Sequence, residues 1–297
     1  MTWHTPALAL FGLLMGTFAA PASAQGARKI FICVDMEGIT GVSNAEQTGG
    51  TGGDYSRARK MMADDANAAI RGAVDGGATE VVVIDSHGSG HNLQRDDLDA
   101  PARLISENFR RYGMMEGLDA TFDAVFLIGH HAKAGSPVGV MAHTQNGNIR
   151  DVQINGRSVG EGGMNTLYAA WHGVPVVMVT GDQVAVAQIQ EVATGALGVS
   201  VKRAINGRAV ELRAPNDARE EIRRTAAQAV RTARKPTERP KGPFRIQIWY
   251  RDTAIPEVAE AIPGIERPSP DSLAFSADTL PAAYALYRVL YRHIDAR

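Results

Sequence analysis

Short apolar runs, each ending in a polar, glycine-flanked stop, organise the first two-thirds of this chain. Lys29 to Val34 runs into Asp35, Glu80 to Ile84 into Asp85-Ser86-His87, and Asp123 to Ile128 into Gly129-His130-His131. Val174 to Val179 is a fourth run of the same kind, stopping at Gly181-Asp182. Continuous, largely β-branched runs predict strands buried on both faces, as in a parallel sheet. Between the first two, Tyr55 to Val74 has helical spacing, with Met61, Met62, Ala66, Ala69, Ile70 and Val74 available for a buried stripe, and Gly76-Gly77 stops it. The resulting strand-helix-strand unit predicts a parallel pair. Gly38 to Asp54, rich in Gly, Ser, Thr and Asn, reads as a mobile loop.

Further along, Ile149–Ile154 and Arg157–Val159 flank Asn155-Gly156, the pattern of a hairpin with a two-residue turn. A helix is predicted from Gly160 to about His172, and another from Gly181-Asp182. At Arg213 the composition becomes highly charged, giving a predicted helix through AREEIRRTAAQAVRTARK and a linker through KPTERPKGP. Arg245 to Tyr250 alternates like a half-solvated strand. Leu280 to His293 predicts a closing helix, with Asp278 or Thr279 as cap and Pro281 in its first turn. The fold class expected is α/β: a three-layer α/β/α sandwich with a mostly parallel sheet over residues 25–210, and a smaller α+β portion over 211–297. That portion could be a domain of its own or an extension of the first.

The first 24 residues differ from the rest. Ala7 to Ala20 carries no charge, and Ala22-Ser23-Ala24 follows Pro21. This is the pattern of a secretory signal cut after Ala24, with an uncleaved anchor as the alternative. It predicts an exported protein, periplasmic or secreted, with no stable membrane association once cut. The run is short for a transmembrane helix, and no later stretch is apolar enough to span a bilayer. The chain has 297 residues, enough for a large core. Its 31 basic and 32 acidic residues leave a formal net charge of -1, which gives no electrostatic case for nucleic acid. Cys33 is the lone cysteine, so no intramolecular disulfide forms, and its strand position predicts a buried, inert thiol rather than a nucleophile.

Candidate chemistry sits where the runs stop. Asp35 and Glu37, two apart, project to one face of an extended chain. They repel unless a cation lies between them or one takes a proton; a helix cap, a solvated turn or a glycosidase-type carboxylate pair are the other readings. His87 competes with His91, and His130 with His131; spacing does not choose between the members of either pair. His143 in GVMAHT is either a general acid/base or oxyanion stabiliser, or a buried hydrogen-bonded histidine. Glu161 lies among glycines at a helix start, where the helix dipole alone favours a carboxylate. Mixed Asp, Glu and His ligands suit zinc, manganese or a similar divalent ion. HExxH, GxSxG, a Walker A loop and a CxxC pair are all missing from the sequence, which disfavours the enzyme classes they mark.

In order, VDMEGITG, VVVIDSHG with Asn92 after it, MMEGLD, FLIGHHAKAG, GVMAHT, INGRSVGEGGMN and VPVVMVTGD resemble the DppA-type zinc-dependent D-aminopeptidases. The resemblance runs from about Lys29 to Asp182 and weakly to the C-terminal helix. It implies two Zn2+ per subunit, with Mn2+ or another divalent ion as a substitute. Asp35 would bridge both ions, Glu37 and His87 would complete one, and His131 and Glu161 the other. His143 falls on the catalytic position. The resemblance also implies short D-amino-acid-containing peptides as substrates and a homo-oligomeric ring. Other readings of the same site are a metal-dependent amidohydrolase acting on L-peptides or other amides, and a non-catalytic periplasmic peptide-binding protein.

Overall fold

The computed structural model describes residues 1–2, 28–236 and 238–294. The predicted signal segment and its cut after Ala24 therefore lie outside the described residues, apart from residues 1–2. The strands and helices are β1 (Arg28–Val34), α1 (Ala45–Thr48), α2 (Tyr55–Asp75), β2 (Ala78–Asp85), β3 (Arg103–Ile105), β4 (Ala124–His130), β5 (Ile149–Ile154), β6 (Arg157–Ser158), α3 (Glu161–Trp171), β7 (Val176–Asp182), α4 (Gln183–Gln190), β8 (Leu197–Ala204), β9 (Val210–Leu212), α5 (Pro215–Thr232), β10 (Phe244–Tyr250), α6 (Ala254–Ala259), β11 (Glu266–Ser269), β12 (Ser272–Ala277) and α7 (Leu280–Arg288).

Seven strands form one sheet in the order β3-β2-β1-β4-β7-β8-β9, parallel except for the edge strand β9. One face is covered by α2 and α5, which bury Met62, Ile70, Ile222 and Val230 against Ile30, Ile32, Val83 and Phe126. The opposite face presents Phe31, Cys33, Ile84 and Leu127 to α3, α4, α7 and a second sheet. This is the expected three-layer arrangement. The second sheet is antiparallel, in the order β11-β12-β10-β5-β6. The β5–β6 hairpin turns through Asn155 and Gly156, both at positive φ (50° and 80°), which the Asn-Gly pair tolerates at little cost. It pairs not with the parallel sheet but with β10 from the C-terminal portion. The sheet thus draws strands from both sides of residue 210, a position that itself lies within β9.

The segment after Asp35 differs from the mobile loop expected of its composition. Ile39 and Val42 are core residues, and Lys202 of β8 donates from Nζ to the carbonyls of Glu37, Ile39 (3.1 Å) and Val42 (2.6 Å). Buried carbonyls need such donors, so one cation fixes the backbone that carries the carboxylates. Val74, assigned to the buried stripe of α2, is 41% exposed, and Ala73 turns inward instead.

Candidate metal centre

The sheet order reverses at β1: β2 and β3 extend to one side, β4 and β7 to the other. In open α/β sheets, sites form at the carboxyl ends of the strands beside such a reversal. Asp35 follows β1, His87 lies two residues beyond β2, and His131 follows β4. Two glycines let the β1 and β4 ends meet. Gly38 N–H donates to the Gly129 carbonyl at 2.7 Å, and a Cβ on Gly38 would lie 2.0 Å from the His130 oxygen. Gly129, at φ 73°, would likewise drive a Cβ to 2.2 Å from the Asp35 oxygen. Only glycine permits both approaches.

Glu161 opens α3. His143 lies in a loop held by Asp182, which accepts from Val140 N–H at 2.8 Å while its other oxygen caps α4. Met141 and Gln145, on either side of His143, sit at positive φ (52° and 66°). Such strain in non-glycine residues persists where surrounding contacts fix it, and it clusters at functional sites.

These elements bring together all six residues singled out in the sequence. His87 Nδ1 lies 3.0 Å from Glu37 Oε2 and 3.3 Å from Asp35 Oδ1. His131 Nε2 lies 3.3 Å from Glu161 Oε1 and 3.4 Å from Asp35 Oδ2. His143 Nε2 is 3.7 Å from Glu161 Oε1, and its ring stacks on His131 with centroids 4.0 Å apart. The open pairs are resolved. His91 is exposed and its Nε2 lies 2.6 Å from Glu107 Oε1, away from the cluster, and His130 is buried within β4 beside Asn165. Burial lowers the pKa of His130 and keeps it neutral. Cys33 is fully buried, its thiol donating to the Met114 carbonyl, and burial pushes its pKa up.

The far nitrogen of each imidazole decides what the cluster can hold. His87 Nε2 meets the Thr48 carbonyl at 2.9 Å, His131 Nδ1 the Ala132 carbonyl at 3.0 Å, and His143 Nδ1 the Met141 carbonyl at 2.8 Å. A carbonyl only accepts, so each of these nitrogens carries the hydrogen. In a neutral ring the other nitrogen is then a lone pair, and all three lone pairs point at carboxylates. Lone pairs facing anions repel unless a cation lies between them. A backbone carbonyl fixing the tautomer of a metal-binding histidine is the usual supporting arrangement. Asp35 Oδ2 is buried without a hydrogen-bond partner. The ligand atoms of Asp35, Glu37 and His131 lie within 4.8 Å of one another, as do those of His131, His143 and Glu161. The donor set fits zinc or a similar divalent ion.

Without such an ion, protons must take its place. Burial alone would lower the pKa of His131, but Glu161, Asp35 and Glu37 overcome it and raise the pKa to about 10. His87 follows the same pattern: burial opposes its charge, while Glu37 and Asp35 hold its pKa well above the ordinary value. Burial likewise opposes the charges of Glu37 and Glu161, yet the facing histidines pull both pKa values down. A folded-state pKa raised from 6.5 to about 10 contributes stability that is complete below the unfolded value and lost as pH rises through this window. Chelator-treated protein should therefore lose thermal midpoint between about pH 6.5 and 10, by about 2–4 °C per kcal/mol. Zinc-loaded protein should hold its midpoint, because the ion replaces the proton. Parallel melting curves for the two forms would refute this.

Fold and site together define an α/β enzyme with a carboxylate–histidine metal centre at the strand ends. A family model described as D-aminopeptidase, of the M55 peptidases, matches residues 28–289. A D-aminopeptidase of Bacillus subtilis (strain 168) is 34% identical over 265 residues, covering 88% of this chain and 96% of the relative. A solved structure of the Zn-dependent D-aminopeptidase DppA from Bacillus subtilis, a self-compartmentalizing protease, superposes with a TM-score of 0.84 at 33% identity. It covers 88% of this chain and 96% of that one. The chain belongs to the M55 family of D-aminopeptidases.

Sequence patterns did not reveal the outer wall of the site. A cavity of about 220 Å³ is lined by the acidic cluster, His143 and Met114, and also by Asn108, Tyr291, Arg288 and Arg292. The two arginines stand four apart, a spacing that shares one helix face.

Proposed function

We propose that this protein is a zinc-dependent D-aminopeptidase that removes N-terminal D-residues from short peptides. The observation carrying this reading is the set of three backbone-anchored imidazoles whose lone pairs face three buried carboxylates, in a chain of this family. Asp35 turns Oδ1 toward His87 and Oδ2 toward His131, which supports it as the ligand bridging two ions. Glu37 and His87 would hold one ion with it, and His131 and Glu161 the other. Bound there, zinc would supply a nucleophile at neutral pH and a Lewis acid for the scissile carbonyl.

The protein's own groups do the rest. The substrate's free α-amine would be held at this end of the pocket, through an ion or one of the carboxylates. His143 is the most exposed imidazole of the cluster, its side chain 29% accessible against 12% for His87 and 2% for His131. Its Nδ1–H is tied to the Met141 carbonyl, so Nε2 faces the substrate: bare, it would take a proton from the attacking water, and once protonated it would stabilise the oxyanion or hand that proton to the leaving amine. Preference for D-residues rests on family membership.

We also place the protein outside the cytoplasm, on the strength of the uncharged Ala7–Ala20 run and Ala22-Ser23-Ala24. Among the described residues no helix is long and apolar enough to cross a membrane. A homo-oligomer is supported by the self-compartmentalizing relative. The test is hydrolysis of D-Ala-D-Ala against L-Ala-L-Ala by protein starting at Gln25, chelated and then resupplied with zinc. Zinc-restored cleavage of the D-peptide alone is expected. Cleavage of the L-peptide alone would overturn the specificity, and cleavage of neither would overturn the activity.

A further inference from the structure

The pocket is polarised. Asp35, Glu37 and Glu161 line one side, Arg288 and Arg292 another. Neither arginine has a carboxylate within ion-pair distance among the described residues, whereas ten other arginines do. Arg288 is only 3% exposed, and a buried charge normally requires a counter-charge. Its partners are neutral: Nε donates to the Arg110 carbonyl (2.6 Å), Nη1 to the Tyr291 hydroxyl (2.7 Å), and Nη2 to the carbonyl and Oδ1 of Asn108. These four bonds hold the guanidinium rigidly and leave one of its five N–H groups, on Nη1, without a partner. Arg292 is exposed and makes no bond to another described residue that would occupy its head group.

The chain geometry around the pair is also unusual. After Arg288 the closing helix widens into a π-helical stretch, Val289–His293, rather than continuing as the α-helix expected to His293. Such insertions are uncommon and recur at functional sites. Here the stretch itself carries Tyr291 and Arg292, both of which line the cavity.

From this we infer that Arg288 and Arg292 form a carboxylate-reading wall that receives the free C-terminal carboxylate of a short peptide whose amino end lies at the acidic cluster. The inference rests on the peptidase reading and adds a limit on its substrates. Two extended residues span about 7 Å, and the cavity, at about 220 Å³, is smaller than the pockets that take drug-sized ligands. A peptide held within this volume is therefore a dipeptide or little longer, and the enzyme is a peptidase of small free acids rather than of long chains. Guanidinium groups suit this task because they match a carboxylate with paired, charge-assisted hydrogen bonds.

The experiment compares D-Ala-D-Ala with its C-terminal amide, in zinc-loaded wild type, Arg292→Gln and Arg292→Lys. Wild type should favour the free acid in kcat/KM by about tenfold or more, the worth of one charge-assisted contact. Arg292→Gln should shrink that ratio towards one, chiefly by raising KM for the free acid, and Arg292→Lys should restore part of it. Arg288→Lys, which keeps the charge inside the fold, should also reduce the ratio. Equal use of acid and amide by wild type would overturn the inference. So would an equal loss on both substrates in Arg292→Gln, the mark of a merely structural residue. Calorimetric titration of both peptides into chelated protein separates this outcome from failure of the peptidase reading. With neither peptide cleaved, preferential binding of the acid that Arg292→Gln abolishes would retain the wall, and equal binding or none would sink it.

Discussion

Asp35→Asn is expected to lower kcat/KM by about a thousandfold or more, the equivalent of several kcal/mol of transition-state charge stabilisation. Asp35 is the one carboxylate that faces both halves of the cluster, with Oδ1 3.3 Å from His87 and Oδ2 3.4 Å from His131. Asparagine keeps the shape and one acceptor, but it replaces the other oxygen with an NH2 group and removes the negative charge. Whichever way the amide turns, a donor meets one of the two imidazoles in place of a ligand. The backbone should be untouched, because Asp35 N–H bonds the Ile128 carbonyl irrespective of the side chain, and the amide oxygen in the Oδ1 position still accepts from Met36 N–H. Metal content, measured by atomic absorption after dialysis, should fall with activity while the far-UV spectrum and cooperative unfolding persist. A variant that keeps both its metal and its turnover would remove Asp35 from the centre. One that loses turnover because it does not fold would be exposed by the melting curve, and Asp35→Glu, retaining the charge, would then decide the point.

How much of this centre could be seen beforehand differs between residues for physical reasons. Asp35, His87 and His131 each follow a long apolar run, and such runs reveal strand ends because a two-sided burial requirement leaves no polar residue inside the strand. Periodicity could not separate His130 from His131, since adjacent residues on a strand point to opposite faces and the sequence does not say which face matters. The structure answers this: β4 ends at His130, which is buried beside Asn165, and the next residue turns into the cluster. β8 went unrecognised because Lys202 and Arg203 interrupt its apolar pattern. Yet Lys202 is buried in order to cap the carbonyls of the Glu37–Val42 segment. The same contact explains how a segment that reads as a mobile loop from Gly38 onward holds Glu37 in place. Partners so distant in sequence, 165 positions apart for Lys202 and Glu37, leave no local periodicity to read. The second sheet was hidden likewise: the hairpin was legible from Asn155-Gly156, but its pairing with β10 depends on a strand about ninety residues later.

His143→Gln is the variant that separates chemistry from ligation. The ring stacks on His131 at 4.0 Å, and its Nε2 could join a metal triad with His131 and Glu161. Yet Nε2 is 3.7 Å from the nearest carboxylate oxygen, longer than the corresponding distances at His87 and His131, and the side chain is the most accessible of the three. The longer reach and the exposure to the pocket favour a proton-transferring or oxyanion-stabilising group over a ligand. Glutamine preserves a hydrogen-bonding side chain of similar length but cannot shuttle a proton. On that reading kcat should fall by about 10²–10⁴-fold, the usual contribution of general acid–base catalysis, while KM and metal content stay near those of the unaltered protein. A substrate with a better leaving group, such as a D-alanine anilide with an electron-withdrawing ring, should recover much of the lost rate, because its amine departs with less need of a proton. If instead the variant binds one ion fewer and the activated substrate brings no recovery, His143 belongs to the metal shell. The proton donor for the leaving amine must then be sought elsewhere along the pocket.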